Sequence, residues 1–529
     1  MTQTYDALIV GGGHNGLVCG SYLARAGKRV CVLERRHQVG GAAVSEEVWP
    51  GYRVSVASYT MALLQPRIML DLELARHGLE VIKPTPMTHF FDHDRYLVFS
   101  DSLEQVQRDI ARYSPADATA YPLFREHMQK LGRVVMRLLW EIPPDPGASD
   151  LKSRMSLLKF AWRYRNLGAA FHDLYDALTL SAEEFLRRWF ESEHVITALG
   201  FYASCGGATT TIGEPGSAYI LLRGYVRDHA TQAGPAGFIR GGMGRISDAI
   251  ASAGREAGME IRCDSAVARI ITRQGRACGV ELESGETLPA RTVVSNVPSK
   301  TLFQKLLSPQ DSTAGFLRRI GQIRDRSTAF KVHIALNRLP SFTGFDGETA
   351  GFAYPAQLRI GLSLNALEAS YAQAKRGEIT QEPALVVTTP SVLDDSVAPP
   401  GKHLMVVFGQ HIPYRVAGRE WTAEHRAHFI DSVLDTLSRY APDIRDCVQD
   451  VDLLTPADLE RVFGLPGGHV HHGELSADQA FFKRPVPGAA DYRTPIKGLF
   501  QCGASVHPGG GVTGVPGHNA AKVILQAMR

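Results

Sequence analysis

A strand, a glycine turn, a helix and a second strand ending on an acid open the chain, and this unit limits what the rest can become. Asp6-Ala7-Leu8-Ile9-Val10 is a short apolar run of strand-type residues that stops at Gly11-Gly12-Gly13-His14-Asn15-Gly16. An amphipathic stretch from Leu17 to Ala26 closes at Gly27, and a second run, Val30-Cys31-Val32-Leu33, ends on Glu34. The order predicts a dinucleotide-binding unit. Gly11 lets the chain turn sharply out of the strand. Gly13 leaves bare backbone for a pyrophosphate, and Gly16 lets the helix lie close to the sheet. The helix start offers unpaired N–H groups and a partial positive charge to the phosphates. Glu34 stands where a carboxylate can accept hydrogen bonds from a ribose diol.

The next residues bear on which dinucleotide is bound. Arg35 and Arg36 follow the acid and could suit a 2′-phosphate, which would favour NADP. Gly40-Gly41-Ala42-Ala43 points the other way, because a second bare segment beside the first suits FAD. His14-Asn15-Gly16-Leu17-Val18, Glu34-Arg35-Arg36-His37 and Val39-Gly40-Gly41-Ala42-Ala43 together resemble the phytoene-desaturase-like branch of the FAD amine-oxidoreductase superfamily, and nearly as well the flavin-type carotenoid ketolases. The resemblance implies an α/β fold: a Rossmann-type FAD-binding domain with an interleaved α+β substrate domain.

Composition agrees with a large globular chain. At 529 residues it is too long for one compact core. A formal charge of +3 gives no global field for nucleic acid. None of the 7 cysteines, Cys19, Cys31, Cys205, Cys263, Cys278, Cys447 and Cys502, falls in a C-x-x-C pair, which argues against a disulfide framework and against dithiol chemistry. The first strand begins at about Tyr5, leaving no room for a targeting peptide, and no uncharged apolar run is long enough to span a membrane. A cytoplasmic protein is the expectation.

The pattern along the chain alternates between two settings. Residues 1–84, 237–325 and 485–529 are read as the FAD-binding domain, and 85–236 and 326–484 as the substrate domain. In the latter, Ser114-Pro115-Ala116-Asp117 reads as a helix cap. Between Leu151 and Arg165 there are five basic residues, Lys152, Arg154, Lys159, Arg163 and Arg165, and no acid. Leu157, Leu158, Phe160, Ala161 and Trp162 interleave with them. Such a helix is either a solvated face over the substrate domain or a peripheral contact with anionic lipid or a partner. Gly241, Gly242 and Gly244 mark either a plain helix start or a cofactor-side turn. Pro66 to His77 reads as one helix, with Ile68, Leu72 and Ala75 on one side.

The second strong motif lies near the C-terminus. Leu499-Phe500-Gln501-Cys502-Gly503-Ala504 is a strand running into glycine, and His507-Pro508-Gly509-Gly510-Gly511-Val512-Thr513-Gly514-Val515-Pro516-Gly517 follows before a closing helix. Bare backbone there can lie against a flat ring system, and the helix start can stabilise negative charge. The resemblance assigns Gly503, Ala504, Gly511, Gly514, Val515 and Pro516 to the isoalloxazine and ribityl contacts, the backbone of Val267 to the adenine, and Ser295 and Asn296 to the nucleotide. Many flavoproteins carry an Asp after the strand glycine to hold the ribityl chain. Here Ala504-Ser505 stands instead, leaving the task to Ser505 or to backbone.

His507 is the candidate catalytic base, set against an ordinary role as a loop histidine bonded to backbone. Gly468-His469-Val470-His471-His472-Gly473-Glu474 would place His469 and His471 on one face if it were a strand. It reads as cavity wall in preference to a metal site, and no metal is expected. The expected activity is FAD-dependent oxidation or reduction of an apolar, polyene-like substrate, with quinone, oxygen or NAD(P) as electron acceptor. The alternatives are an oxygen-using amine oxidase, whose aromatic cage and oxygen-activating lysine are not evident from the sequence, and a flavin-bound scaffold without turnover.

Overall fold

The computed structural model describes residues 4–92, 94–205, 209–226, 237–361 and 363–529; the side chains of Lys152 and Cys205 lie outside this description. Among the described residues two seven-stranded sheets dominate.

The first sheet is built on Tyr5–Val10, whose residues are almost all buried. Parallel neighbours flank it, Thr287–Ser295 on one side and Val30–Leu33 on the other. Glu260–Arg262 extends the sheet beyond Val30–Leu33, and Leu499–Gln501 pairs in parallel with the end of Thr287–Ser295. Continuous apolar runs at 7–10 and 30–33 are what a parallel sheet covered on both faces demands. The helix His14–Arg25 crosses over between its first two strands. Gly20 lets it approach Ile9 and Val32, since a Cβ there would meet both side chains. On the same side pack Gly244–Glu256 and Val515–Ala527, the latter so close that a Cβ on Gly517 would collide with the carbonyl of Asn15.

The second sheet draws its strands from other parts of the chain. Val448–Leu454, Phe330–Leu336, His403–Gly409, Leu385–Thr388 and Gln357–Ile360 run antiparallel in that order, then Met87–Phe90 and Tyr96–Phe99 complete it. Helices between Leu103 and Arg223 form a separate apolar core beside it. Ser114 caps Pro115–Leu139 by accepting from the N–H of Asp117. The helix expected from Pro66 to His77 is shorter, Pro66–Asp71, and continues as turns because Glu73 takes a positive φ. Cys19 and Cys502, far apart in sequence, are brought into side-chain contact in the first core.

Among the described residues no helix is long and apolar enough to cross a membrane.

Candidate functional site

Three glycine-containing segments converge at the carboxyl ends of the first sheet's parallel strands, where open α/β sheets bind ligands. The first is 11–16. Gly11 has φ +98°, in the left-handed region, so the sharp exit from the strand needs glycine. The second, 40–43, lies against the first: Gly40 N–H donates to Gly12 O at 2.9 Å, and a Cβ on Gly41 would stand 3.2 Å from Gly13 Cα. Asn296 closes the third side. Its backbone N–H donates to Val10 O at 2.9 Å, and its amide lies across Gly13, where a Cβ would come within 2.8 Å of Nδ2.

Glu34 follows the strand Val30–Leu33 and stands beside the first glycine turn. It is buried, and its Oε2 accepts the N–H of Gly12 at 2.7 Å while Oε1 accepts that of Arg36 at 3.0 Å. Its own carbonyl accepts from Ser265 at 2.8 Å, which brings the strand start at Val267 alongside. Arg35 departs from expectation. Its guanidinium turns away and donates to Val462 O at 2.8 Å, so the side chain is not a ligand for the ribose or for a 2′-phosphate. Arg36 pairs with Glu46 and lies over the Phe463 ring.

The segment 503–516 forms the far wall. Gly503 must be bare because a Cβ would strike the carbonyl of Asn296. Gly511, at φ +116°, and Gly514, at φ +74°, hold conformations that glycine alone adopts easily, and Val515 and Pro516 begin the closing helix. Ser505 Oγ accepts the N–H of Ser299 at 3.0 Å, which ties the loop to the turn after Asn296. Ser295 Oγ bonds locally to Val297 O at 3.5 Å.

Do these residues fit a flavin dinucleotide? Gly11, Gly13, His14, Gly41, Ala42, Asn296 and Gly511 all retain accessible surface, although Val10, Asn15, Ala43 and Ser295 beside them are buried. They line one lane of bare backbone and helix N-terminus. Asn15 Oδ1 and His14 Nε2 are buried at its edge without a partner among the described residues, so polar groups are aimed where polar ligand atoms would satisfy them. The donor set fits a pyrophosphate flanked by a ribose and a flat ring.

His507 is held in place by hydrogen bonds at its ring and at its carbonyl. Its Nε2 bonds the carbonyl of Leu138 at 2.9 Å, its own carbonyl accepts from the Tyr492 hydroxyl at 2.9 Å, and burial lowers its pKa to about 4. The geometry makes it an anchor that fastens the loop to Pro115–Leu139, and the catalytic role expected of it is set aside. Gly241, Gly242 and Gly244 are likewise a helix start. Gly241 N–H donates to Asp394 at 2.7 Å and Gly244 N–H to Ser45 Oγ at 2.9 Å.

The histidine segment is a turn, not a strand. His472 N–H donates to His469 O at 2.9 Å, and His472 itself takes φ +57°. His469 Nδ1 accepts the N–H of His471 at 3.2 Å, so Nε2 carries the ring hydrogen. His471 backs onto Gly510, where a Cβ would come within 2.7 Å of its ring. Burial first, then the positive charge of Arg484, lowers His469 and His472 to about 3.

Two residues, Arg223 and Lys331, escaped the sequence reading, and a third, Arg484, read there as cavity wall, has a buried role the sequence did not disclose. Arg484 is buried and donates only to carbonyls, Ala504 O at 2.8 Å and Glu474 O at 2.9 Å among them. Burial pushes its pKa down to about 9, which leaves it charged at neutral pH. Arg223, also buried, donates to Gly510 O at 2.7 Å. Lys331 lies in the buried strand Phe330–Leu336, its Nζ 4.4 Å from the centre of the Tyr59 ring and without a hydrogen-bond partner. Burial moves that amine's pKa well down. A lysine in a strand that is apolar apart from it and His333 was the available signal for it.

A flavin-binding oxidoreductase is what this sheet, its glycine segments and its acid define. Residues 16–525 match the model for flavin-containing amine oxidoreductases, and the chain belongs to that family, with FAD as its cofactor. It is 37% identical to pyridine nucleotide-disulfide oxidoreductase domain-containing protein 2 of Rattus norvegicus, over 99% of this chain and 94% of that one. It is 29% identical to one of the polypeptides of limonene dehydrogenase from Castellaniella defragrans, over 99% and 95%. Wild-type putrescine oxidase bound to putrescine shares the fold at a TM-score of 0.61 and 15% identity, with all of both chains covered.

Proposed function

We propose that the chain oxidises or reduces a largely apolar, polyene-like or isoprenoid-like substrate by desaturation, saturation or isomerisation. FAD, when bound, supplies the electron chemistry. The chain's residues hold the dinucleotide between 11–16, 40–43 and 503–516, exclude water, and set the charge that a substrate meets.

That charge is the observation behind the reading. Arg484 and Arg223 bring two guanidinium groups under the C-terminal loop, each bonded to backbone carbonyls. His469, His472 and His507 nearby are held neutral. Glu474 and Asp478, in the segment that leads to Arg484, are both tied to Arg324. A protonated amine would find no counter-ion in this group, whereas a hydrocarbon needs none. Leu63 and Leu475 flank the loop at Gly511 and Gly509, and Leu475 packs with Ile220 and Tyr219. The name of the limonene dehydrogenase polypeptide, a relative along nearly the whole chain, also supports a hydrocarbon substrate.

The test is photoreduction without oxygen, followed by mixing with quinone, oxygen or NAD(P)+. Preferential reoxidation by quinone supports the proposal, and failure to exchange electrons with any of the three favours a scaffold. One observation favours a second reading, that of an oxygen-using amine oxidase: Lys331 is a buried amine beneath two aromatic rings, Tyr59 and Phe408. Fast reoxidation by oxygen together with turnover of a simple amine would select it.

A further inference from the structure

The helix Leu151–Tyr164 has two apolar faces, and one of them faces away from the rest of the chain. Ser153, Leu157, Phe160 and Tyr164 turn inward. The Phe160 ring packs 5.5 Å from that of Phe481, which in turn lies 5.1 Å from His507 in the cofactor-side loop. On the opposite side Leu151, Met155, Leu158 and Trp162 are 48% to 75% exposed. At about 100° per residue, their spacing places all four within an arc of about 60°. The next helix, Ala169–Thr179, adds Phe171 and Tyr175, one turn apart and 59% and 62% exposed. These six are the majority of the ten large apolar side chains exposed among the described residues, and all fall within one stretch of 25 residues.

Charge frames the patch. By the same rotation, Arg154 and Arg165 fall along one edge of the stripe, and Lys159 and Arg163 along the other. Arg163 is paired with Glu141. Arg154 and Lys159 are exposed, and neither is paired with a carboxylate among the described residues. The Arg165 guanidinium covers the Trp162 ring at 3.8 Å. On the second helix Asp176 is tied to Arg188, which leaves Asp173 as the remaining acid of the pair of helices.

We infer that this two-helix face docks on a membrane surface carrying anionic lipid. The apolar stripe enters the acyl boundary, and Arg154, Lys159 and Arg165 reach the head groups. Trp162, apolar in body and capped by a cation, suits the boundary between the two. Pairing with a second copy through the same face would set like charges against each other. The inference concerns the surface alone and stands whether or not the substrate is a hydrocarbon.

The test is flotation of the full-length, FAD-loaded protein with phosphatidylcholine vesicles, with and without phosphatidylglycerol. The parent is expected to float with the anionic vesicles and remain behind with the neutral ones, and added salt weakens the binding. Arg154→Glu/Lys159→Glu replaces two favourable charges with two unfavourable ones and is expected to lower the bound fraction by about tenfold or more. Leu158→Ser/Trp162→Ser is expected to abolish flotation while the flavin spectrum and elution volume stay those of the parent. A parent that stays behind with both vesicles overturns the inference. So does a charge-reversed variant that floats as the parent does, or a dimer of the parent that Leu158→Ser/Trp162→Ser converts to monomer.

Discussion

Asn296 lies across Gly13, with its Nδ2 2.8 Å from where a Cβ on that glycine would stand. The contact joins the end of the strand Thr287–Ser295 to the start of the first helix, so position 13 has no room for a side chain. Gly13→Asp is therefore expected to abolish flavin retention. Overpacking alone costs about 1–3 kcal/mol, and a carboxylate beside the pyrophosphate adds like-charge repulsion. A purified Gly13→Asp protein with a normal flavin absorbance would contradict the placement of the dinucleotide.

Glu34 accepts the Gly12 N–H at 2.7 Å in a buried setting. Glu34→Ala leaves that N–H without its partner, at a cost of about 1–3 kcal/mol. The expected outcome is a lower thermal midpoint together with faster loss of FAD on dilution. Were both to match the parent, the carboxylate would have no part in shaping the turn.

His507→Ala is expected to retain FAD and to be reduced at close to the parental rate, with a thermal midpoint lowered by the loss of the bond to Leu138 O. Stopped-flow reduction and a melting curve decide this. A tenfold fall in the reduction rate with unchanged stability would return His507 to the chemistry.

Lys331→Met keeps the length of the side chain and removes a buried amine that lacks a hydrogen-bond partner. The variant is expected to be at least as stable as the parent, because a desolvated amine is costly. Its rate of reoxidation by oxygen separates the two functional readings. A marked fall from a fast parental rate is what the oxidase reading requires.

His14, His469 and His472 are held neutral by burial, with pKa values of about 4, 3 and 3 against the usual 6.5. Below about pH 6.5 the unfolded chain takes up protons at these positions and the folded chain does not. Stability is therefore lost as pH falls from 6.5 towards 4, by about 1.4 kcal/mol per pH unit for each group that remains neutral. Denaturant titration at several pH values measures the slope. His472→Phe is expected to flatten it, and an unchanged slope would show that His472 is not held neutral.

The nucleotide-binding unit was legible because its parts are adjacent. Strand, turn, helix and acid lie within Tyr5 to Glu34, and each residue's job follows from neighbours a few positions away. The same holds for Gly503, Gly511 and Gly514, whose sequence context already implied bare backbone. Arg35 misled because its position beside the acid says nothing about direction. Its partner, Val462 O, comes from a distant segment. Arg223 and Lys331 were missed, and Arg484 was read only as cavity wall, for the same reason: each matters through what surrounds it, and that is assembled from several parts of the chain. For His469 to His472 a strand would have set two rings on one face, but the segment is a local turn with a positive φ at His472. The cations between Leu151 and Arg165 were visible at once, whereas which apolar residues they frame emerged only from the packing of Phe160 on Phe481.

The helix His14–Arg25 leaves the ribosome some five hundred residues ahead of the helix it packs against, Val515–Ala527. Gly517 seated on Asn15 is thus a joint between segments made far apart in time. A nascent chain has only two of the three glycine walls, so a secure grip on its yellow cofactor must await translation of the third.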